Sequence, residues 1–595
     1  MPWTGGWVCT VGCAEAVFAG CDAAHDEVFV SFPQAFFSPS LPSLLPNSSL
    51  QAIVTVISQL DDDVTAIHWH GIEQRTSPWS DGVPGTTQCP IISQNNGGSS
   101  FEYRFSSSIG GTYWYHGHLH EQYLDGLYGA LIVDDPVQDA KTQELIGLAG
   151  GGAAYVEDSQ VWQVADWYDA PAMSYLSWYL SPESGGNEPM PDAFVVNNKL
   201  SWDASMPVAA FNVTLPRNGG PQRVRIINVA GFSMFRISVD GMPLTVVELD
   251  NCAVVPMDVG SIPLNVAMRA SVILDFSRLS PEIASSPALW VRVQAMPAMY
   301  PTFDPDLPYL GLYGNTTGLP FETTWFGLIT FAGEGGGLPT YDKDMGGESY
   351  TSSEDSDTYV NVECHHGGPC LPLASMVETN MLAARPLSPE RAPPANVSMQ
   401  YNIVFSEDEN GINLAHVNGF TFAPHPTTAD LQHPAILPLM AANAVVPPVA
   451  YSGSGAQPFV LRYGDVVDLL INNTDGGEHP IHLHGHQFWV VATSNVPLAK
   501  TLYASNYLRR DVVSVPAEGW ALIRFVATNP GIWAIHCHID WHVRAGLVAE
   551  IVEAPELLHG TVQQLPQSHT NACSLANSAA GAAALAGHEL VSGHP

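Results

Sequence analysis

A chain of 595 residues has room for about four domains of ordinary size. Only 13% of its residues are charged, yet acids outnumber bases so strongly that the formal net charge is −38. Such an acidic chain is repelled by phosphate backbones and anionic lipids, so its composition argues against nucleic acid and membrane surfaces as partners. No apolar run reaches the roughly 18 residues that a membrane span needs.

Short runs with period-two alternation recur along the chain between turn-forming residues. Glycine and proline are plentiful, with 52 and 47 copies, which suits many short strands joined by turns. This spacing predicts an all-β protein built from antiparallel sandwiches with Greek-key links. Representative predicted strands are Ala52–Ile57, Gly129–Val133, Arg223–Ile227 and Phe459–Tyr463.

Four His-x-His pairs are the most informative motifs of the chain. Residues i and i+2 of a strand point to one face, so each pair presents two imidazoles together. In the last pair the intervening residue is Cys537, whose thiolate faces the opposite side and a different metal. The four pairs are His68/His70, His116/His118, His482/His484 and His536/His538.

Two further histidines complete the predicted metal sites. His479 precedes the third pair, and His542 follows Cys537 by five residues. With Cys537 they form a His₂Cys set, the ligand pattern of a blue-copper site. The eight paired histidines suit a cluster of three coppers, because neutral imidazole binds copper well. A lone His pair is more often structural, but four pairs and a cysteine at ligand spacing argue strongly against that interpretation.

At this point the sequence resembles the multicopper oxidase family and is laccase-like. The resemblance runs from about residue 37 to about residue 573 and implies three cupredoxin-like Greek-key β-sandwich domains. The matching motifs are His-Trp-His-Gly (68–71), Gln-Cys-Pro-Ile (88–91), Gly-Thr-Tyr-Trp-Tyr-His-Gly-His (111–118), Asp-Gly-Leu-Tyr-Gly (125–129), His-Pro-Ile-His-Leu-His-Gly-His (479–486) and His-Cys-His-Ile-Asp-Trp-His (536–542).

The resemblance and the changes in composition give a domain plan. An atypical segment comes first, and an acidic insertion rich in glycine and proline separates the second and third domains. The predicted boundaries are 1–24 for the N-terminal segment, 25–140 for domain 1, 155–331 for domain 2, 332–394 for the linker insertion, 395–555 for domain 3 and 556–595 for the C-terminal tail.

The resemblance also implies four copper ions: one type 1, one type 2 and two type 3. Electrons from a reducing substrate would enter at type 1 and cross from Cys537 to its flanking histidines, and O₂ would be reduced to water at the other three coppers. The implied ligands are Cys537, His479 and His542 for type 1, His68 and His482 for type 2, and His70, His116, His118, His484, His536 and His538 for type 3.

Four other residues receive roles from the same resemblance. Leu547 takes the axial position of type 1, where the absence of a thioether raises the reduction potential. Asp81 and Asp540 match carboxylates thought to supply protons, although Asp81 also suits a plain turn. Asp192 aligns loosely with a carboxylate that accepts the proton of a phenol, and a surface-loop aspartate is nearly as good an interpretation.

The cysteines and the N-glycosylation sequons indicate the cellular compartment of the protein. The resemblance implies a disulfide between Cys89 and Cys573, and Cys364 and Cys370 are spaced to close a small local loop. The first residues make a poor signal peptide, because no Lys or Arg precedes the apolar stretch. Sequons nevertheless favour a secreted protein whose true start is missing or misassigned, against an intracellular or periplasm-like alternative; they lie at Asn47, Asn212, Asn315, Asn396 and Asn472.

The predicted function is therefore an extracellular, monomeric laccase-like oxidase of phenols or aromatic amines, with O₂ as its second substrate. A ferroxidase acting on Fe²⁺ is the closest alternative, and it would need acids near His479 and His542 that the sequence does not place. A copper-binding or electron-carrier protein needs only the His₂Cys set, which leaves eight histidines unexplained. A structural or pigment-associated remnant is the remaining alternative.

Overall fold

The computed structural model describes a large part of the chain. The linker segment 332–383, with Cys364 and Cys370, lies outside the described residues, and so do Asn47 and Asn315. The described residues are 8–11, 30–31, 51–58, 60, 64–93, 97–98, 100–107, 109–133, 135–150, 156–201, 211–217, 220–279, 284–296, 299, 324–331, 384–422, 431–441, 458–495, 507–582 and 584–585.

The chain divides into two compact units. The first unit comprises Met1–Asp135, Ala170–Glu188 and Arg391–Pro595, and the second comprises Pro136–Asp169 and Pro189–Glu390. The N-terminal and C-terminal portions of the chain therefore belong to one unit, and all eleven predicted copper ligands lie in it.

The N-terminal portion of the first unit contains two larger sheets and a two-stranded ribbon. The sheet orders are β1-β3-β7, β2-β9-β8-β5 and β4-β6. Side chains of β3 and β7 share one buried core with those of β5, β8 and β9, as in a sandwich. The strands are β1 Val8–Val11, β2 Val30–Ser31, β3 Gln51–Ile57, β4 Val64–Thr65, β5 Ile67–His70, β6 Ile91–Ile92, β7 Phe101–Ser106, β8 Gly111–Gly117 and β9 Tyr128–Val133.

The second unit has a six-stranded and a five-stranded sheet, with orders β11-β10-β13-β18-β15-β16 and β12-β20-β19-β14-β17. Phe194 and Phe235 join the two sheets through rings 5.2 Å apart. The elements are helix α1 Pro136–Gly150 and strands β10 Val156–Trp167, β11 Ala193–Val196, β12 Asn212–Leu215, β13 Gln222–Asn228, β14 Phe235–Val239, β15 Leu244–Leu249, β16 Cys252–Val259, β17 Ile262–Leu264, β18 Arg269–Leu274, β19 Ala288–Ala295 and β20 Thr324–Phe331.

The C-terminal portion of the first unit repeats this plan, with orders β22-β21-β24-β29-β26-β27 and β23-β31-β30-β25-β28. The strands are β21 Val397–Glu407, β22 Asn413–Val417, β23 Phe459–Leu461, β24 Val466–Asn473, β25 His479–Leu483, β26 Phe488–Thr493, β27 Arg509–Arg510, β28 Val512–Val515, β29 Trp520–Val526, β30 Gly531–Cys537 and β31 Val548–Glu553. The helices of the first unit are α2 Ala172–Tyr179, α3 Ile436–Met440, α4 Asp540–Arg544 and α5 Gln567–Ala576.

The predicted all-β class is confirmed, and burial explains the two kinds of strand. In β24 buried residues alternate with partly exposed ones, so one face meets the core and the other meets solvent. β25 and β30 are buried on both faces, which is what metal-ligand strands between two layers require. The four representative strands are present with ends shifted by at most two residues, and the predicted disulfide between Cys89 and Cys573 is confirmed.

Candidate metal centre

Strand register brings the four histidine pairs together. His68 on β5 lies opposite His116 on β8, and His482 on β25 lies opposite His536 on β30. Each partner is two residues away, either on the same strand or directly after its end, so both imidazoles of a pair point to the same side. Cys537 lies opposite Ile481, on the other face of the same two strands. The eight paired histidines are called the histidine cluster below.

The rings of the histidine cluster are in contact with one another. The centroids of His68 and His484 are 3.9 Å apart, as are those of His70 and His482. His484 and His536 bring their Nε2 atoms to 3.0 Å. Several triplets offer ring nitrogens within 4.8 Å of one another, the spacing that a shared metal ion needs; they are His68/His482/His484, His68/His70/His116 and His118/His484/His536.

Backbone carbonyls fix the orientation of half of the cluster. An Nδ1–H that donates to a carbonyl leaves Nε2 as the lone-pair nitrogen, which is the form that binds a metal. The Nδ1 to O distances lie between 2.6 and 2.9 Å; the pairs are His68 with Asp81, His116 with Gly117, His482 with Asp511 and His536 with Cys537.

The buried nitrogens that remain fit copper. The Nε2 atoms of His68, His116, His482 and His538 are buried and have no hydrogen-bond partner among the described residues. Burial, together with repulsion between neighbouring imidazoles, lowers the pKa well below the ordinary value for His116, His118, His482, His484 and His538. Burial likewise lowers the pKa of His536 to about 4. These six imidazoles are therefore uncharged at neutral pH and are in the neutral form that copper prefers.

Two buried aspartates contact ring nitrogens of histidines in the cluster. Asp81 Oδ2 lies 2.9 Å from His484 Nδ1, and Asp81 Oδ1 lies 3.4 Å from His68 Nδ1. The chain turns away after Asp81 through Gly82 at φ +89°, where a Cβ would lie 1.9 Å from a backbone oxygen of β5. Asp511, which the sequence reasoning missed, places its Oδ1 3.3 Å from His70 Nε2.

On the opposite face of β25 and β30 lies a second, smaller group, here called the thiol site: His479, Cys537 and His542. The two Nδ1 atoms are 3.1 Å apart and lie 3.7 and 3.4 Å from the Cys537 sulfur. All three side chains are buried. Burial raises the pKa of the Cys537 thiol, but His542 and His479 outweigh it and lower that pKa to about 7. A thiolate with two imidazoles is a donor set that fits copper.

Comparison with known proteins identifies the family. Three family models described as multicopper oxidase match residues 40–138, 158–282 and 424–557, more than half of the chain. The chain belongs to the multicopper oxidase family. This multicopper oxidase is an oxidoreductase that uses copper ions, as the sequence predicted.

Its relatives include both laccases and iron-transport oxidases. A laccase of Phlebia radiata is 29% identical over 551 residues, covering 90% of this chain and 88% of the relative. The iron transport multicopper oxidase fetC of Epichloe festucae is 27% identical over 553 residues, covering 90% and 75%.

Solved structures share the fold. Fet3p, a multicopper oxidase that functions in iron import, matches with a TM-score of 0.68 and 23% identity, over 89% of this chain and 88% of that one. The laccase from Botrytis aclada matches with a TM-score of 0.63 and 24% identity, over 91% and 85%.

In this multicopper oxidase, two carboxylates contact the outward nitrogens of the thiol-site histidines. Glu188 Oε1 lies 2.7 Å from His542 Nε2, and Asp475 Oδ2 lies 3.3 Å from His479 Nε2. Their side chains are 21% and 36% exposed, so solvent reaches both. Sequence reasoning missed both residues; Asp475 lies four positions before His479, but Glu188 is 354 positions from His542 and carries no local signal.

The remaining predicted residues have the following surroundings. Asp192 lies in the second unit, where its Oδ2 accepts the Asp169 N–H at 2.8 Å. Asp540 is buried at the start of α4, three residues after Cys537. Leu547 is fully buried, and its carbonyl accepts the Cys537 N–H at 3.1 Å. Its side chain offers no donor atom to a metal.

Proposed function

We propose that this multicopper oxidase takes single electrons from a phenol or aromatic amine at the thiol site and reduces O₂ to water at the histidine cluster. The observation that carries the proposal is that one tripeptide, His536–Cys537–His538, contributes to both sites. Four coppers, when bound, supply one-electron acceptance at the thiol site and the four-electron reduction of O₂ at the cluster.

The proposed ligand assignment is the one that the family resemblance implies, and the ring orientation in the thiol site supports its type 1 part. In the thiol site, His479 and His542 turn Nδ1 towards the Cys537 sulfur and fit type 1. His68 and His482 would hold the type 2 ion. The other six cluster histidines would hold the type 3 pair: His70, His116, His118, His484, His536 and His538. The link between the sites is short, since Cys537 is bonded to His536, and His536 Nδ1 also donates to the Cys537 carbonyl at 2.7 Å.

Glu188 gives the reducing substrate a proton acceptor. A phenol that loses an electron becomes a strong acid, so a carboxylate beside the electron-accepting histidine promotes the transfer by taking the proton. Glu188 has that position against His542. We assign this role to Glu188; the corresponding role of Asp192 stays a prediction.

Fe²⁺ is the second candidate substrate, and Asp475 is the observation that favours it. A phenol needs one proton acceptor, whereas a hard cation is bound better by two carboxylates than by one. Glu188 and Asp475 place one carboxylate on each thiol-site histidine. The net charge of −38 adds a long-range attraction for cations.

Oxygen uptake with a methoxyphenol and with Fe²⁺ tests both candidates. If the phenol is the substrate, Glu188→Gln slows its oxidation about a hundredfold, and Asp475→Asn leaves it unchanged. If Fe²⁺ is the substrate, both variants slow Fe²⁺ oxidation. Asp192→Asn is the matched control, and a loss of phenol turnover in that variant alone would return the proton-accepting role to Asp192. No uptake with either substrate by the copper-loaded protein would refute the proposal.

An electron carrier is distinguished by copper content. A carrier binds about one copper per chain, and an oxidase with a filled cluster binds about four. The protons consumed in water formation would pass through Asp81, which contacts two cluster histidines, and through Asp540.

We further propose an extracellular, monomeric protein with the domain boundaries predicted from the sequence. The disulfide between Cys89 and Cys573 supports an oxidising compartment. Among the described sequons, Asn212 and Asn396 are exposed and open to glycosylation. Within the described part of the chain, no helix is long and apolar enough to cross a membrane.

A further inference from the structure

Glu550 is a buried acid that the proposed function does not use. It lies in the middle of β31, and its residue surface is only 4% exposed. Thr86 Oγ1 donates a hydrogen bond to Glu550 Oε1 at 2.8 Å. The other carboxyl oxygen, Oε2, is buried and has no hydrogen-bond partner among the described residues. A buried carboxylate with one neutral partner is costly, so this side chain is expected to hold a proton.

The carboxyl group of Glu550 changes its charge close to neutral pH. Burial raises the pKa of its carboxyl from 4.5 to about 7, and the hydrogen bond from Thr86 offsets only part of that rise. Strand register puts two titratable groups on the face of the sheet that carries Glu550: His536 on β30 and His484 just after β25. The side chain therefore holds a proton under mildly acidic conditions and releases it with little driving force.

Strand register places Glu550 in line with the histidine cluster. Ala534 on β30 pairs directly with Glu550, and the same Ala534 accepts the backbone N–H of His484 on its other side. The three residues form one row across the sheet, on the face that carries His482 and His536. Two strand spacings separate the ends of the row, about 10 Å between the Cα atoms of His484 and Glu550. Ala534, the middle residue of the row, has no side chain beyond a methyl group.

One loop of the N-terminal portion covers both ends of this row. Asp81 contacts His484 at one end, and Thr86 contacts Glu550 at the other. Backbone hydrogen bonds hold the loop rigid between them, because Thr86, Thr87 and Gln88 all donate to the Val83 carbonyl. Glu550 thus shares a covered strip of the sheet with the carboxylate that contacts two cluster histidines.

We propose that Glu550 supplies protons to the histidine cluster during O₂ reduction, from the far end of this row. In each delivery the O–H bond of the carboxyl breaks and the proton ends in product water. The carboxylate then takes its next proton from solvent. Glu550 touches no reacting atom, so it is a proton-supplying residue whose effect passes through another group. This inference rests on the proposed function, because only O₂ reduction consumes protons at the cluster.

Glu550→Gln is the decisive variant, because the amide keeps an oxygen for Thr86 but carries no exchangeable acid proton. We expect the reoxidation of the fully reduced copper protein by O₂ to slow at least about tenfold. Reduction of the thiol site by substrate is expected to stay at the wild-type rate. The wild-type rate should fall as pH rises through about 7, since the acid is then ionised, and Glu550→Gln should lack that decline. Glu556→Gln, the same change at an exposed site nearby, should match the wild type.

A structural role predicts a different pattern. If Glu550 only fastens the loop to β31, Glu550→Gln reoxidises at the wild-type rate with an unchanged pH profile, and the proposal is wrong. A measurement without copper separates the two ideas further. One component of the infrared absorption of protonated carboxylic acids should be present in the wild type at pH 6, lost in Glu550→Gln and retained in Glu556→Gln. If Glu550→Gln loses no component, Glu550 holds no proton to give and the inference fails. If the wild type itself consumes no O₂, the proposed function fails first.

Discussion

The two faces of β25 and β30 carry the same ligand type in opposite electrostatic settings. On the face of the histidine cluster, burial and mutual repulsion lower the imidazole pKa values. On the thiol-site face, burial acts in the same direction, but Asp475 and Cys537 outweigh it for His479 and raise its pKa. Cys537 and Glu188 do the same for His542 and raise its pKa to about 10.

This difference shows that alternation along two strands separates two kinds of chemistry. The cluster brings together imidazoles that are mostly held in the neutral form, which suits several metal ions and a small neutral oxidant. The thiol site pairs an anionic sulfur with histidines whose outer nitrogens meet carboxylates near solvent, which suits one ion and an external electron donor. Because a one-residue slip would exchange the two faces, the register of β25 against β30 is essential to both sites.

Removal of the Cys537 thiolate is expected to have the largest effect on the difference between the two faces. Cys537→Ser replaces the soft donor that selects copper on one face and leaves all eight cluster histidines. Copper content should fall from about four to about three per chain, and oxidation of any reducing substrate should stop. Metal analysis and oxygen uptake measure the two effects. Cys252→Ser makes the same atomic change on β16 in the second unit and should leave both quantities unchanged. A loss of all copper in Cys537→Ser would show that the two faces are not independent.

On the cluster face, the protonation of Glu550 makes the free energy of unfolding depend on pH. The folded state holds its proton up to about pH 7, whereas the unfolded chain ionises near 4.5. The folded state therefore binds the extra proton in this window, and stability falls as pH rises from 4.5 to about 7. At about 1.4 kcal/mol for each pH interval of one, the loss is about 3 kcal/mol.

Denaturant unfolding of the copper-free protein at pH 4.5, 6 and 7.5 measures this loss. In Glu550→Gln the contribution is absent, so the difference in unfolding free energy between wild type and variant should shift with pH by that amount. Glu556→Gln serves again as the exposed control and should track the wild type. A constant difference across the three pH values would mean that Glu550 is ionised in the folded protein.

Much of both sites was accessible from the sequence, because their ligands are fixed by local periodicity. His-x-His pairs on strands, and His542 at a fixed distance from Cys537, place donors on one face or the other without knowledge of the rest of the fold. Glu188, Asp511 and Glu550 were not accessible in this way. Each meets its partner through long-range packing, and no spacing rule links residues hundreds of positions apart. Glu188, which contacts His542, lies four residues before Asp192, and no local pattern in the sequence distinguishes the two acids.

Substitution of Phe405 tests how far water must be excluded from the thiol site. Its ring stacks on His479 at 5.7 Å and meets His542 edge-on at 5.2 Å, and it is only partly buried. Apolar cover around a metal site limits water access and helps to set both affinity and potential. Phe405→Leu should weaken copper binding at this site about tenfold and lower its reduction potential.

Copper titration followed by thiolate-to-copper absorption, together with a redox titration, measures these effects. Phe405→Tyr keeps the stacked ring and should restore most of the affinity. Phe420→Leu makes the same deletion at a phenylalanine that is 45% exposed and should change nothing. Equal effects of the two leucine variants would assign the change to general destabilisation instead of local cover.

Leu547→Met gives the smallest expected effect and the most local one. Leucine and methionine have similar volumes, so the fully buried site should tolerate the change at a cost of about 1 kcal/mol or less. The Leu547 carbonyl still accepts the Cys537 N–H, because the backbone is unchanged. A thioether at the axial position would stabilise the oxidised ion, so the reduction potential of the thiol site should fall while the copper content and the histidine cluster stay as they are. An unchanged potential would place the side chain of Leu547 away from the metal axis, in the core alone.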